Sequence, residues 1–121
     1  MRMFMMVLAA AGVTLGTGAV AQDVESGKAV FRKCAACHDH EKGVNKLGPT
    51  LKGVFGRKAG TVEGFKYSPK MQESGLVWDE ANLTEFLHDP KKKVPGTRMI
   101  FPGIKDDAEI ENLIAYLKSD Q

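Results

Sequence analysis

Cys34-Ala35-Ala36-Cys37-His38 constrains this chain more than any other stretch. Two thiols three residues apart, followed at once by an imidazole, form the attachment signature of a c-type haem. Each thiol can add to one haem vinyl group, so two thioethers hold the porphyrin edge against a single turn of backbone. His38 then lies under the ring, with a ring nitrogen in reach of the iron. The Cys-x-x-Cys spacing alone also fits a dithiol redox pair or half of a zinc site. A zinc site needs two more ligands, and neither His40 nor His88 completes a familiar spacing with the cysteines. A thioredoxin-like dithiol calls for a βαβ pattern, and none is legible here. A disulfide closing so small a loop would add little stability.

At 121 residues the chain has the length of one domain. Its beginning reads as something else: Arg2 is followed by an almost wholly apolar run from Met3 to Leu15, and Ala19-Val20-Ala21 is a small-x-small cleavage site. A secretory signal peptide over residues 1–21 is expected, with the folded domain over residues 22–121. The apolar run is too short to span a bilayer, which disfavours an uncleaved anchor. Export would take the mature protein to the bacterial periplasm. Of 17 Lys and Arg residues Arg2 leaves with the leader, so 16 remain against 15 acidic residues, a net charge of +1. Such a balance gives no bulk-charge argument for binding nucleic acid or a membrane surface. With no second hydrophobic segment, no stable membrane insertion is expected, and a monomer is expected.

Helical signals recur along the mature chain. Asp23 can cap a first helix running to about the cysteine motif, with Val24, Gly27, Val30 or Phe31, and Cys34 on its inner face. A glycine inside a helix costs about 1 kcal/mol relative to alanine, so Gly27 predicts close approach of another helix. Ser68-Pro69 resembles an N-cap and first helical residue, with Gly75 as the stop. Asp79 opens another helix with Leu83, Phe86 and Leu87 on one face, ended by Pro90. Asp106 and Glu109 have capping-box spacing for a last helix with a stripe at Ile110, Leu113, Ile114 and Leu117. No strand-like alternation competes, so the chain is expected to be all-α. Between Asp39 and Gly64 no period is sustained and glycines punctuate the sequence. A long irregular stretch is hard to reconcile with a compact domain unless it wraps something. A flat cofactor would provide the missing core.

If His38 takes one axial position of a haem iron, the other decides the chemistry, because an open position permits catalysis and a filled one favours electron transfer. Met99, in Val94-Pro95-Gly96-Thr97-Arg98-Met99, sits on a loop stiffened by Pro95 and Pro102. Met71 is the rival, although its place in a short helix suits packing. The residues alone leave that choice open.

From about Val24 to Leu117 the chain resembles class I cytochrome c, in the group of cytochrome c2 and mitochondrial cytochrome c. The resemblance rests on CAACH, LGPTLKGVFGRKAG, GFKYSP, GLVWDEANLTEFLHDPKK, PGTRMIFPGIK and LIAYLK. The spacing of Phe31 and Cys34 is closer to bacterial members. It implies four to five helices with long loops around one covalently bound haem c, held by Cys34 and Cys37 with His38 and Met99 as iron ligands. It further implies that the Pro49 carbonyl accepts the N–H of His38, that Arg57, Tyr67 and Trp78 hydrogen-bond the haem propionates, and that Thr97 adds a polar contact. Gly27, Phe31, Leu113 and Tyr116 would join the first and last helices. Two positions depart from the family: Phe86 stands where a tyrosine is common and Met71 where an asparagine is frequent, making the methionine side of the haem more apolar.

The resemblance implies a shuttle that moves single electrons between redox partners, such as a membrane bc1-type complex, an oxidase, a reaction centre or a dehydrogenase, and not an enzyme. Lys33, Lys46, Lys91, Lys92, Lys93, Arg98 and Lys105 lie near segments expected at the haem rim, where a cationic face could steer an acidic partner; lysine runs are also ordinary solvated surface. A peroxidase-like haem enzyme is the alternative if Met99 is not a ligand. A thiol oxidoreductase would need both cysteines free.

Overall fold

Four apolar residues recurring at helical spacing near the C-terminus, Ile110, Leu113, Ile114 and Leu117, must be covered on one side, and in the computed structural model each is no more than 2% exposed. The structure describes residues 23–119 and the isolated Gly12. The expected leader lies otherwise outside the described residues. Five helices are present among them: α1 (Val24–Phe31), α2 (Pro69–Glu73), α3 (Glu80–His88), α4 (Pro90–Lys93) and α5 (Asp107–Lys118). The only β-type pairing among the described residues is an isolated bridge between Lys58 and Val77. The fold is therefore all-α. No helix among these residues is long and apolar enough to cross a membrane.

Each helix begins where a polar side chain satisfies its open N–H groups. Asp23 accepts from Glu25 N at 3.0 Å, Ser68 from Met71 N at 3.1 Å, and Asp79 from Asn82 N at 2.8 Å. Asp106 caps α5 through Ala108 N and Glu109 N. The reciprocal half of a capping box is not formed there, because the Glu109 carboxylate reaches across to Lys33 at 3.1 Å. Pro90 does end α3, and it also starts a separate turn: Asp89 is the N-cap of α4, with Pro90 at its first position.

The two terminal helices form the main interface of the fold. An ideal Cβ built on Gly27 would stand 1.8 Å from the backbone oxygen of Asn112 and 2.8 Å from the Tyr116 Cβ. Only a residue without a side chain lets the helices approach this closely, and the contact explains a glycine that costs helix propensity. Asn112 also accepts from Asp23 N at 3.0 Å, across 89 residues of sequence. Phe31 and Tyr116 pack at a ring separation of 5.3 Å. Val24 was expected on the inner face but is 40% exposed, because α5 crosses α1 near Gly27 and leaves the first turn uncovered. The α-helix also stops at Phe31, earlier than the motif, and the chain continues through tighter turns.

His40 had no assigned role from sequence. It is 4% exposed, its ring tilted against Tyr116 at 4.5 Å and Phe31 at 5.8 Å, with Nε2 at 3.3 Å from the Leu117 carbonyl. The imidazole completes an aromatic plug between the segment after the cysteines and the last helix. At the same end of α5, the Lys118 ammonium lies 4.6 Å over the Phe55 ring, a cation–π contact that draws the irregular segment onto the helix.

Gly27→Ala is expected to lower the unfolding free energy by about 1–3 kcal/mol, the usual range for forcing a group into a filled interface, partly offset by better helix propensity. Guanidinium unfolding of purified protein measures it. A variant as stable as the parent would show that the helices can separate at no cost.

Candidate haem-binding site

The cysteine motif follows α1 as a compact set of turns: Cys34 N bonds to Phe31 O at 2.7 Å, Cys37 N to Cys34 O at 3.0 Å and His38 N to Cys34 O at 2.9 Å. These bonds bring the side chains of 34, 37 and 38 onto one short length of backbone. Cys34 is half-buried and Cys37 exposed. Burial is the main influence on the Cys34 thiol, pushing it up to about 11, with Lys33 opposing. A dithiol redox centre needs an acidic thiol, so this environment does not suit one.

His38 is held from two directions. Its Nδ1 lies 2.8 Å from the Pro49 carbonyl. A carbonyl oxygen can only accept, so Nδ1 carries the proton and Nε2 presents its lone pair. Behind the ring stands Gly48, whose ideal Cβ would lie 2.3 Å from Cε1 and 2.6 Å from Nδ1. Any side chain at 48 would push the ring off its acceptor. Gly48 is itself anchored, with its N–H bonded to Cys37 O at 2.7 Å. Nothing local singles out this glycine beyond its place in the LGPTLKG block. Burial lowers the His38 pKa, with the Pro49 bond opposing, so the ring favours the neutral form that a metal ligand needs.

Of Arg57, Tyr67 and Trp78, predicted to share one task, Arg57 and Trp78 are brought together by backbone pairing. Gly56 N bonds to Trp78 O at 2.8 Å, Trp78 N to Arg57 O at 2.9 Å and Ala59 N to Leu76 O at 2.8 Å. Tyr67 is close enough to Arg57 for each to influence the other's ionisation, although burial is the larger effect on both, lowering Arg57 and raising Tyr67. All three retain donors without an acceptor among the described residues. The Arg57 guanidinium is half-buried, bonds once to Lys52 O at 3.3 Å, and has no carboxylate partner among the described residues. The Tyr67 hydroxyl accepts from Val62 N at 3.1 Å, leaving its proton free. No bond joins the Trp78 indole N–H to a described residue, although the ring is buried and stacked 4.9 Å from Phe86. Such a set of donors fits a ligand that carries acceptor oxygens of negative charge.

Met99 lies on a different loop. Val94 O accepts from Thr97 N at 3.0 Å, and Thr97 Oγ1 from Met99 N at 3.3 Å. Thus Thr97 braces the methionine backbone, while its hydroxyl proton stays available. The side chains then alternate: Met99 and Phe101 are half-buried against the core, while Ile100 between them is 97% exposed. Met71 also packs against the core from α2, and Phe86, in place of a tyrosine, is buried. Half-buried apolar groups (Leu51, Phe55, Met71, Met99 and Phe101) thus adjoin the core. Together with two thiols, a neutral imidazole and an uncompensated donor set, they fit a flat apolar ligand with an acidic edge. The residues present fit a haem.

The predicted cationic rim divides in two. Lys33 pairs with Glu109 and Lys93 with Glu85, while the ammonium groups of Lys46 and Lys105 donate to Ala35 O and His88 O at 2.8 and 2.7 Å. Lys91, Lys92 and Arg98 are exposed, and their side chains have no partner among the described residues.

Comparison with known proteins gives the same picture. The family model described as Cytochrome c matches residues 24–121. The chain is 55% identical over 96 residues to cytochrome c-550 of Nitrobacter winogradskyi, covering 78% of this chain and 88% of that protein. It is 50% identical over 101 residues to cytochrome c2 of Blastochloris viridis, covering 83% and 80%. Among solved structures, cytochrome cH from Methylobacterium extorquens matches with a TM-score of 0.76 and 52% identity, over 80% of this chain and 98% of that one.

Gly48→Ala is expected to displace the His38 ring and break its bond to Pro49, at a cost of about 2 kcal/mol or more from overpacking together with a lost buried hydrogen bond. The guanidinium midpoint of Gly48→Ala against the parent checks this, because the Cβ would meet the His38 ring at under 3 Å. An unchanged midpoint would mean that the ring moves aside at no cost.

Proposed function

The chain belongs to the cytochrome c family as a bacterial class I member that carries one covalent haem c and transfers electrons, and from that premise we propose that His38 and Met99 are its two axial ligands. The observation that carries the proposal is the 2.8 Å contact between His38 Nδ1 and Pro49 O, which leaves Nε2 as the nitrogen able to reach a metal. The haem supplies an iron that accepts and releases one electron.

The chain's own residues provide the rest. Cys34 and Cys37 tether the group, so it cannot be lost outside the cytoplasm. Pro49 and Gly48 fix the imidazole plane. Met99 contributes a soft thioether from a loop independent of the cysteine turns, which favours the reduced metal. With His38 and Met99 both supplied by the protein, neither side chain would have to leave when the charge changes, and little rearrangement would oppose transfer. Arg57, Tyr67, Trp78 and Thr97 offer donors to the propionates, placing positive charge and dipoles where two carboxylates would otherwise be poorly solvated. Phe86 and Met71 keep the sulfur side apolar. Held by both side chains, the iron would have no open position for peroxide, which favours a carrier over an enzyme.

This carrier is cut after Ala21 and acts as a monomer in the periplasm. The spare cations Lys91, Lys92 and Arg98 adjoin the Met99 loop, where exposed Ile100 and, on the histidine side, exposed Leu47 add apolar contact. An acidic redox protein would be steered by the former and seated on the latter.

A reduced-minus-oxidised visible spectrum, taken after denaturing extraction of loose haem, tests the assignment. A low-spin c-type spectrum that resists extraction, with the weak oxidised-state band of a methionine–iron bond, is expected; Met99→Ala should lose that band and keep the covalent haem. Covalent haem without the band in the parent protein would reopen the peroxidase-like reading. Lys91→Glu combined with Lys92→Glu should lower the bimolecular electron-transfer rate at low salt by about tenfold and flatten its salt dependence. An unchanged salt dependence would remove these lysines from the docking face.

A further inference from the structure

Met99 is delivered by a turn that looks poorly supported. Pro95 and Gly96 occupy its centre, Gly96 has φ +85°, and Thr97 N bonds back to Val94 O at 3.0 Å. That is the arrangement of a type II turn, in which the third residue must adopt positive φ. Pro95, Gly96 and Arg98 are exposed, and Thr97 is only half-buried. One group lies across the turn. An ideal Cβ on Gly96 would stand 3.1 Å from Lys70 Cγ and 3.6 Å from Lys70 Cβ, and among the described residues no other heavy atom outside its chain neighbours comes within 4 Å of that position.

Lys70 belongs to α2, which is fixed from other sides. Ser68 caps it through Met71 N. Its backbone presses on Gly60, whose ideal Cβ would lie 3.0 Å from Gln72 Cα and 3.2 Å from Met71 O. Met71 anchors it in the core. The short helix is therefore a clamped strut, and the Lys70 stem is the part of it that touches the sulfur-bearing turn. Lysine commonly lays its methylenes on a surface while its ammonium stays in water.

We propose that Lys70 is a positioning residue for Met99: its aliphatic stem buttresses Gly96 and keeps the 94–97 turn closed, so that the thioether stays within reach of the iron. The stem acts, not the charge. This rests on the reading of Met99 as an axial ligand. A thioether is the weaker of the two proposed ligands, and a loosened turn would be read first as easier replacement of the sulfur by an added nitrogen ligand.

The test is an imidazole titration of the oxidised holoprotein, following loss of the methionine–iron band, in the parent, Lys70→Ala and Lys70→Met, with guanidinium unfolding alongside. Lys70→Ala removes Cγ and the chain beyond it and should bind imidazole about three- to tenfold more tightly, the effect of losing a few partly covered methylenes. Lys70→Met keeps an unbranched stem without charge and should match the parent, and all three should unfold at the same denaturant concentration. Parent-like imidazole affinity in Lys70→Ala overturns the proposal, as does a Lys70→Met variant that follows Lys70→Ala, which would assign the effect to charge. A rise in affinity matched by a fall in the guanidinium midpoint also overturns it, marking general loosening. A parent protein without the band, or a band that survives in Met99→Ala, overturns the ligand assignment and this proposal with it.

Discussion

The cysteine side of this molecule depends on one hydrogen bond, from His38 Nδ1 to the carbonyl of Pro49 at 2.8 Å. It fixes the tautomer of the imidazole and its plane, and burial favours the neutral state. The bond exists because Pro49, its φ fixed by its ring, presents its carbonyl to the imidazole, and because Gly48 before it has no side chain to hold the imidazole away. The N–H of the same glycine ties back to the Cys37 carbonyl. The segment from 34 to 49 is thus closed by backbone bonds before any cofactor is considered, and the irregular chain beyond it inherits a fixed starting point.

The remaining frame consists of two supports of different kinds. The terminal helices meet without an intervening side chain at Gly27, and His40, Tyr116 and Phe31 fill the space beside that crossing. The middle of the chain has little packing of its own. It is held by the short backbone pairing of 56–59 with 76–78, by the Lys118–Phe55 contact and by the clamped helix α2. The groups proposed to face the cofactor sit on these lighter supports, which suits a region completed by a rigid ligand.

How much of this was legible beforehand follows from whether a feature is local. Caps at Asp23, Ser68, Asp79 and Asp106 could be read because the accepting side chain and the donor N–H lie within three residues of each other. The stripe on α5 could be read because its period is fixed by helix geometry. Gly27 predicted its own close contact because a glycine there costs something. The exposed Val24, the burial of His40 and the Lys33–Glu109 pair depend on where α5 crosses α1, and no local pattern states that. The pairing of four of the seven rim cations was hidden for the same reason. Met99 against Met71 could not be decided from spacing, and the family resemblance, not periodicity, chose between them. Gly48 stood in a quoted block, yet its reason appears only when the His38 ring is behind it.

The junction of the first and last helices also bears on the order of events during synthesis. Asp23 and Asn112 are 89 residues apart, and closing so long a loop is entropically slow and impossible before α5 has been made. A chain that stops short of α5 would leave Gly27, Phe31 and His40 without the surface they pack on, so the clasp closes only on a polypeptide complete through its last helix.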